Sequence, residues 1–578
     1  MPHAAASSPA PSTRLTGWAG AIAAVLLGLL VTASVYGLQI LPPGNTGWML
    51  EGTIGPDPVQ YWLGWTYFAR APWAWPPGLN PDWGLEVGSS IFYSDSIPLL
   101  AFAFKALRPL VEVPQYWGLW LFACGALQAF LAWRLVGLAT TDPLARLAGA
   151  ALFVVQPLLL NRMGGHFALG GQFLLLAGLY LCLTRAPAAR RLAAWTALVA
   201  AASLIHAYLL PMVAGLWACD WLARAIRREA RALLAAEALL VPGAGVAGLW
   251  AAGFFVLDAG LGGTWGGFGD MQLDLLAPFD PSHWGRFLPK LPQADHLEAQ
   301  DSYLGLGALL LLGGGILAWI IRPGRGLVRH WPLVAGLGFM LAIAITHRIS
   351  IGGRMVALAE PPEEWLAIAD ALRASVRFFW PVAYAALFAA ILALVRVMGG
   401  RRTGLALAAL AVVQVADLQP GFDRLANYFR PAPVTAPLRL ADPFWTEATG
   451  RYDRLRLAPT GMQARHWEEV AVLAATRGLP TDAVYLARLD PIAVAALNQA
   501  TLHRLATGQH EPGSLYILGS DETLAAARAG MEPAEDLLAQ ADGVWVLAPG
   551  WHSPAITATP GPVQIFLEGI PVSAPPGG

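Results

Sequence analysis

Long intervals without a charged side chain constrain this chain more than any other feature. The first runs from residue 15 to 50, between Arg14 and Glu51. A bilayer core about 30 Å thick takes ~20 helical residues to cross, so the apolar part, 18–40, is long enough to be a span. It is also longer than the apolar core of a signal peptide, which has ~7–15 residues. We predict an uncleaved first span here. Further candidate spans lie at 115–138, 144–161, 167–184, 192–205, 208–223, 232–257, 303–321, 331–347, 376–397 and 403–418, which makes eleven.

Composition supports a membrane protein. Only 13% of the residues are charged and 56% are hydrophobic, whereas a soluble domain carries about 25% charged residues. The net charge of -1 provides no basic excess for nucleic acid. Cys124, Cys182 and Cys219 all lie in apolar runs, so neither a disulfide framework nor a CxxC metal site is expected.

Basic residues in short loops indicate the orientation, because such loops are retained in the cytoplasm. Arginines fall in five connections: Arg134 and Arg146; Arg185, Arg190 and Arg191; Arg224, Arg227, Arg228 and Arg231; Arg322, Arg325 and Arg329; Arg396, Arg401 and Arg402. Placing these inside requires a turn at 206–208. The N-terminus is then cytoplasmic, and the region after Asp417 is outside.

The predicted architecture is an α-helical polytopic membrane domain, 1–418, followed by a small extracytoplasmic α/β domain, 419–578. The first outer loop, 41–114, contains interfacial helices, one of them at 96–110 with Lys105 and Arg108 directed to lipid headgroups. Outer loops follow at 258–302 and 348–375. In the tail, apolar runs at 483–487, 514–519 and 543–548 predict strands, and Ser520 begins a capped helix.

Carboxylates in the first outer loop are candidates for chemistry, because polar groups near membrane depth are costly. Asp57 lies between two prolines just after the first span, and Asp95 precedes the second interfacial helix. Since a residue before proline avoids helical geometry, Asp57 is expected at an N-cap. For both residues, simple capping remains an alternative to catalysis or ligand binding.

Two histidines lie at successive outer turns, His166 and His206. Together they could bind a metal or a phosphate, although each alone is commonly a hydrogen-bonded turn residue. Arg162 lies one turn before His166 and is a candidate anion contact. Gln172 follows two turns later at a similar bearing and is a candidate substrate contact.

Two arginines open the tenth span at its outer end. Arg373 and Arg377 are four residues apart, so a continuous helix would place them on one face, where two guanidiniums suit a phosphate. The alternative is interfacial anchoring beside an aromatic belt.

The layout resembles the GT-C class of glycosyltransferases: a first span, an Asp just after it, a long outer loop with two interfacial helices, about eleven spans and an outer C-terminal domain. Gly-Pro-Asp-Pro-Val-Gln at 55–60, Phe-Tyr-Ser-Asp-Ser-Ile-Pro at 92–98 and Met-Gly-Gly-His-Phe-Ala-Leu at 163–169 resemble a family of bacterial integral-membrane proteins usually assigned to that class. The Asp-Asp or Glu-Asp pair of some members is absent, because Pro56 precedes Asp57.

The resemblance implies sugar transfer from a polyprenyl-phosphate donor to a glycan, lipid or protein acceptor on the periplasmic face of the bacterial inner membrane, in cell-envelope polysaccharide assembly. Inversion needs a base, which would be Asp57. The leaving phosphate needs neutralisation, either by Arg373 and Arg377 or by a divalent metal, Mg or Mn, for which Asp95 and His166 are the candidate ligands.

The tryptophans of the first loop have two alternative uses. Trp62 and Trp65 offer flat faces on which a pyranose could stack, but interfacial anchoring would use the same side chains.

Two other functions compete with the enzyme. A transporter or flippase of lipid-linked saccharides would show repeats and charges inside its spans, whereas here the spans are nearly free of charge. A non-catalytic scaffold would not need so polar a set of outer loops.

Overall fold

A computed structural model of the chain describes residues 11–51, 53–257, 267–292, 302–324, 326–358, 361–429, 433–462 and 464–553. The protein is mostly helical and divides into two compact units, each built from separate stretches of chain. The membrane unit comprises Met1–Ile54, Val113–Leu249 and Leu261–Val434. The loop–tail unit comprises Gly55–Glu112, Trp250–Gly260 and Thr435–Gly578.

Helices and strands are numbered along the chain. The membrane unit contains α1 (Pro11–Tyr36), α2 (Gly47–Leu50), α5 (Trp117–Val136), α6 (Pro143–Val154), α7 (Pro157–Met163), α8 (Phe173–Leu183), α9 (Ala188–Ile205), α10 (Leu209–Ile226), α11 (Arg231–Ala252), α12 (Leu306–Ile321), α13 (Gly326–Arg329), α14 (Trp331–Ile345), β1 (Arg348–Ile351), β2 (Arg354–Ala357), α15 (Glu363–Ala369), α16 (Phe379–Met398), α17 (Gly400–Asp417) and α18 (Gln419–Phe429). The last three residues of α11 belong to the loop–tail unit.

Each of the eleven predicted segments contains a helix, and the predicted turn at 206–208 separates α9 from α10. Over the described part of the chain, six helices are long and apolar enough to cross a membrane, or up to eight if two bent pairs each form one span. Shorter apolar helices include α12 and α14. The structure therefore supports a membrane protein with several spans, while the number eleven stays a prediction.

Two apolar helices are sharply bent, and proline accounts for both bends. α6 and α7 meet at 52° just before Pro157, and α17 and α18 meet at 56° just before Pro420. A proline lacks the N–H that would continue the helical hydrogen bonding, and it restricts the residue before it. After the second bend, α18 belongs to the membrane unit, although the predicted boundary at 418/419 places it in the C-terminal domain.

A buried ionic network joins α9, α10 and α11 near the ends of these helices. Asp220 pairs with Arg191 and with Arg224, whose Nε lies 3.0 Å from Asp220 Oδ2. Arg224 also donates to Glu237, with Nη1 2.9 Å from Oε2. All four side chains are at least 94% buried. They lie at the start of α9, the end of α10 and the start of α11, where tryptophan N–H groups complete the network.

The stretch after α14 folds as a β-hairpin followed by α15, a hairpin that the sequence analysis missed. Strands β1 and β2 pair antiparallel through a Gly352–Gly353 turn in which both glycines have positive φ. Gly-Gly between alternating residues is a signature of this tight turn. Of the predicted outer loop 258–302, residues 267–292 and 302 are described, while 258–266 and 293–301 lie outside the described residues.

The loop–tail unit contains α3 (Asp57–Arg70), α4 (Pro98–Leu107), α19 (Pro443–Arg451), β3 (Arg454–Ala458), α20 (Trp467–Arg477), α21 (Pro491–Thr507), β4 (Ser514–Leu518), α22 (Asp521–Gly530), β5 (Leu537–Ala541) and β6 (Val544–Ala548). Its four strands form one sheet in the order β3-β4-β6-β5. β3 runs parallel to β4, and the other neighbours are antiparallel. Ser520 caps α22 through a capping box, as predicted.

The predicted strand at 483–487 is wrong. This run is not part of the sheet, because its backbone is paired with the first loop: Ala483 O accepts from Trp83 Nε1 at 3.0 Å, and Ala487 N donates to Tyr93 O at 2.9 Å. Its apolar side chains are therefore buried against the loop. The compact units accordingly differ from a division at 418/419, since residues 55–112 pack with the tail.

The expectation that Lys105 and Arg108 reach for headgroups is also wrong. Arg108 Nη1 donates to Ala69 O at 2.6 Å, and Lys105 Nζ donates to Pro72 O while lying 3.9 Å from the centre of the Phe68 ring. The last carbonyls of a helix lack intrahelical donors and carry a partial negative charge. Arg108 therefore binds the C-terminal end of α3, and Lys105 binds a carbonyl two residues beyond it.

Candidate active site

Asp57 begins α3 rather than capping it. The N-cap is Pro56, Asp57 lies in the first helical turn, and Pro58 follows it. A proline in the first turn costs no hydrogen bond, because its missing N–H would be unpaired there in any case. The carboxylate of Asp57 is half-buried at the positive end of the helix dipole. The predicted N-cap position is thus corrected by one residue.

Asp95 lies in a tight turn fastened to the same helix. Its backbone has φ +50°, and the N-cap of α4 is Ile97, so Asp95 is not a helix cap. Ser96 Oγ donates to Tyr61 O at 2.9 Å, and Gln60 Nε2 donates to Tyr93 O at 3.0 Å. The turn carrying Asp95 is therefore attached to α3 within four residues of Asp57.

A glycine makes this close approach feasible. A Cβ at Gly64 would lie only 2.3 Å from the Ser94 side chain, which is far too close for any other residue. Absence of a side chain at Gly64 lets the Asp95 turn contact the backbone of α3 directly. The two acidic positions thus belong to one packed element.

The tryptophans of this loop divide into buried and exposed residues. Trp65 is 3% exposed, so its ring belongs to the core of the unit and is not a platform for a sugar. Trp62 is half-buried. Trp73 and Trp75 are the exposed rings, and Trp75 packs edge-on against Trp250 with ring centres 4.9 Å apart. The stacking role predicted for Trp65 is therefore wrong.

A buried arginine connects the first loop to the tail. Arg456, in the middle of β3, binds Glu86 with both Nη atoms, Nη2 at 2.7 Å from Oε1. It also contacts Asp482 at 3.2 Å and Glu511 at 2.8 Å. The hydrogen bonds from Arg456 hold the pKa of Glu86 below its ordinary value. Paired charges thus attach the Glu86 segment of the first loop to β3.

The lowered pKa of Glu86 gives a pH prediction. A carboxyl whose pKa is lower in the folded state adds stability above its unfolded value, about 4.3, and loses that contribution as the pH falls through the folded value. We expect Glu86→Gln to lower the thermal unfolding midpoint at pH 7 and to flatten its decline below pH 4.5. The exposed Glu535, changed to Gln, is the control. An identical pH profile for wild type and Glu86→Gln would contradict the prediction.

In the membrane unit, Arg162 and His166 lie at the end of the α6–α7 pair. Arg162 is 6% exposed, near the end of α7, with its guanidinium 5.9 Å from the centre of the Trp380 ring. His166 is half-buried and precedes a short 3₁₀ turn, Phe167–Gly170. The structure thus places both residues at one chain reversal, as their spacing suggested.

Gln172 has hydrogen bonds within the protein at both ends of its amide. Nε2 donates to Leu158 O at 2.7 Å, and Oε1 accepts from Tyr384 Oη at 2.6 Å. The residue is fully buried. These contacts join α7, α8 and α16, so they support a structural role in place of the predicted substrate contact.

Substitution of Gln172 distinguishes the two roles. We expect Gln172→Leu to destabilise the protein by about 1–3 kcal/mol, because it removes an acceptor of the buried Tyr384 hydroxyl and a donor to the buried Leu158 carbonyl. The measurement is thermal unfolding in detergent, with Gln419→Leu as a control. Unchanged stability together with weakened substrate binding would instead support the predicted role of Gln172 as a substrate contact.

His206 and Arg377 converge on Tyr208. His206 Nδ1 accepts from Tyr208 N at 3.0 Å, and the Arg377 guanidinium lies 4.4 Å from the centre of the Tyr208 ring. Tyr208 Oη in turn accepts from Ala374 N at 2.9 Å. Arg377 is 7% exposed. The turn after α9 and the start of the tenth span therefore form one cluster.

Arg373 and Arg377 do not share a helical face. Arg373 ends one 3₁₀ turn, Asp370–Leu372, and Arg377 lies in another, Ser375–Phe378. Between them Ala374 has φ -83° and ψ 58°, outside helical geometry. Met271 O accepts from Val376 N at 3.1 Å, and this hydrogen bond stabilises the interruption between the two 3₁₀ turns. The four-residue spacing therefore does not pair the guanidiniums along a helix.

Arg424 is a further basic residue of this unit that the sequence analysis missed. Its Nη2 donates to Asn161 Oδ1 at 2.9 Å, next to Arg162 in the chain, and its guanidinium lies 5.4 Å from the centre of the Trp284 ring. Burial, together with Arg424 and Lys290, lowers the pKa of the nearby His283 to about 4, so that ring is neutral at pH 7. Arg424 was overlooked because α18 was assigned to the tail.

The two proposed metal ligands belong to different units, Asp95 to the loop–tail unit and His166 to the membrane unit. Within the residues that the structure describes, no group of three or more His, Cys, Asp or Glu side chains is arranged to hold a metal ion. The metal requirement stays a prediction.

A separate polar cleft of about 360 Å³ lies in the tail. His510 and Asp536 are among its lining residues, with His510 Nε2 3.6 Å from Asp536 Oδ2. Burial lowers the pKa of His510, which keeps the ring neutral at pH 7. The lining contains none of the predicted site residues.

Comparison with known families covers most of this architecture. Residues 25–419 match a family described as Domain of unknown function (DUF6311). The chain belongs to the DUF6311 family. Residues 444–549 match the DUF6311 C-terminal domain, so both the spans and the α/β tail have family counterparts. No curated protein matches the chain.

Proposed function

We propose that this protein is a GT-C-type membrane glycosyltransferase that transfers a sugar from a polyprenyl-phosphate donor to an acceptor on the periplasmic face of the bacterial inner membrane. In this proposal, the membrane unit has about eleven spans with a cytoplasmic N-terminus, and the tail is periplasmic. Asp57 is the base. Arg162 and Arg377 neutralise the donor phosphate.

The observation that carries the proposal is the burial of two arginines against aromatic rings in a membrane unit. Arg162 and Arg377 are each more than nine-tenths buried, against Trp380 and Tyr208. The planar guanidinium group matches the oxygens of a phosphate, and the cost of burying a charged side chain in a membrane protein favours a functional role.

The proposed role of Asp57 as the base rests on the structure of α3 and of the turn that carries Asp95. Asp57 is half-buried at the start of α3, so its carboxylate is partly exposed, and the turn that carries Asp95 is attached to the same helix. Transfer with inversion needs a base that removes the acceptor proton. Asp57 has the residue type, exposure and support for that role.

The buried ionic network of α9–α11 is the observation closest to a transporter. Charges inside spans commonly mark transport pathways. Here Asp220 and Glu237 are paired with Arg191 and Arg224 at the ends of their helices, and that arrangement holds three helices together. We therefore retain the proposal of an enzyme in preference to a transporter.

The decisive experiment is sugar transfer by purified protein from a polyprenyl-phosphate-linked sugar, which a flippase or a scaffold would not perform. We expect Arg162→Gln and Arg377→Gln to raise the KM for the donor at least tenfold, since each removes a charged phosphate contact. Arg401→Gln, at an exposed position, is the matched control. Equal donor KM values in all three variants would refute the phosphate role of these arginines.

A further inference from the structure

The hairpin and α15 expose several large apolar side chains. These are Ile351, Met355, Val356, Leu358, Trp365 and Ile368, each between 47% and 73% exposed. Six such residues within 18 positions exceed the scattered apolar side chains that are normal on a protein surface, and a clustered set marks an interaction surface. We call this set the hairpin–helix face.

The hairpin is held in place by its polar side. Asp274 accepts from Ser350 Oγ at 2.6 Å, from Gly353 N at 2.9 Å and from Gly352 N at 3.0 Å. Although burial raises the pKa of Asp274, these hydrogen bonds more than offset it, so the net pKa lies below the ordinary value. Leu275 N also donates to Ser350 O at 2.9 Å. The exposed residues of β2 thus belong to an anchored strand.

Helix α15 carries two of these exposed residues on one side. Trp365 and Ile368 are three residues apart and share that side of the helix. Glu363 is two residues before Trp365, about 200° around the helix, and so lies on the other side. Glu364, four residues before Ile368, lies at the border of the apolar side.

Chain connectivity indicates which partner covers this face. The apolar helix α14 ends at Ile345, and the next candidate span begins at Ser375. With α14 crossing the membrane as its sequence predicts, both ends of the segment start at the same side of the bilayer, where a helix with an exposed tryptophan lies in the interface. The exposed Arg354, beside Met355, is suited to a lipid phosphate.

We infer that the hairpin–helix face inserts into the lipid leaflet next to α14 and α16, as a monotopic element between two spans. Interfacial helices bury their apolar side about 5–10 Å into the boundary between headgroups and acyl chains. The partner is the bilayer surface, and neither another protein nor a second copy is required. This inference does not depend on the proposed enzymatic activity.

Nitroxide labelling in liposomes tests the inference directly. Single substitutions Met355→Cys, Trp365→Cys and Ile368→Cys are labelled, and Glu363→Cys is the matched control on the opposite side of α15. Unsubstituted protein, labelled in parallel, gives the background from the three native cysteines. Because these side chains are exposed, the labels should not disturb folding.

We expect oxygen to relax the labels at 355, 365 and 368 more than an aqueous nickel chelate does, at a depth of about 5–10 Å below the phosphates. The label at 363 should respond more to the chelate. Stronger relaxation by the chelate at all four positions would overturn the inference. So would labels at 355, 365 and 368 that neither reagent reaches, because that result would show protein covering the face.

Discussion

Replacing Asp57 with asparagine should abolish most sugar transfer. If Asp57 is the base, Asp57→Asn keeps the shape of the side chain and removes its ability to accept a proton, which typically lowers the rate by about 10²–10⁴-fold. The loss should appear in kcat while the KM for the donor changes little, because the substitution leaves the proposed phosphate contacts intact. Radiolabelled sugar transfer by purified protein measures both constants.

Two comparisons make the Asp57 result specific. Asp82→Asn, in the same loop, should retain activity, because Asp82 contributes its backbone carbonyl to Thr481 N. Asp57→Glu should restore part of the rate, since it returns a carboxylate at a slightly different position. Full transfer by folded, inserted Asp57→Asn would exclude Asp57 as the base, and equal losses in Asp82→Asn would indicate a general defect of the loop.

Removing Asp220 should destabilise the membrane unit more than any other single change considered. Asp220→Ala leaves Arg191 buried without its carboxylate, and it removes the acceptor of the Trp195 N–H group, 2.9 Å away. Breaking a buried ion pair by removing one partner costs roughly 3–5 kcal/mol. We expect a large drop in the thermal unfolding midpoint and in the yield of folded protein in detergent.

A surface ion pair beside the network provides the control. Arg227 and Glu229 lie 2.7 Å apart and are about half exposed, and such pairs contribute about 0–1 kcal/mol. Arg227→Ala should therefore have little effect. Asp220→Asn separates charge from shape, and it should fall between the two. Wild-type stability of Asp220→Ala would mean that the network is dispensable.

The sequence predicted helices well because one physical demand applies to every membrane helix. Whether a segment packs against lipid or against another helix, it must be apolar and charge-free over most of its length, so all eleven segments contain a helix. The number of membrane crossings does not follow from composition in the same way. A proline bend such as that before Pro157 turns one apolar run into two helices, and composition does not fix the path of either.

Charged residues were harder to place, because a charge near a span end can face water, lipid or another charge. The sequence directs Lys105 to headgroups, but it binds Pro72 O and the Phe68 ring; it places Arg191 in a cytoplasmic loop, but that side chain is buried with Asp220. In the tail, β3 was missed since its central residue, Arg456, interrupts the apolar pattern. Its three carboxylate partners are distant in the chain, and a single sequence does not reveal them.

The candidate site was predicted in part. The turns of His166 and His206 and the position of Asp57 at a helix start follow from local spacing and proline geometry. The roles of Gln172 and Trp65 could not be obtained this way, because burial depends on which helices pack together. Arg424 was not predicted for a related reason, because the sequence does not show that α18, after the bend before Pro420, belongs to the membrane unit.

The discontinuity of the loop–tail unit has a consequence for synthesis. Glu86 pairs with an arginine 370 residues later, and Arg70 donates to a carbonyl 405 residues later. At about 5–20 residues per second, a ribosome needs roughly 20–70 s to make the first of these distances. During that interval the first loop has been translated, but the tail residues that bind it have not. The docking of the first loop onto the tail is therefore a late step in the synthesis of the protein, whereas the local contacts between α3 and the Asp95 turn can form much earlier.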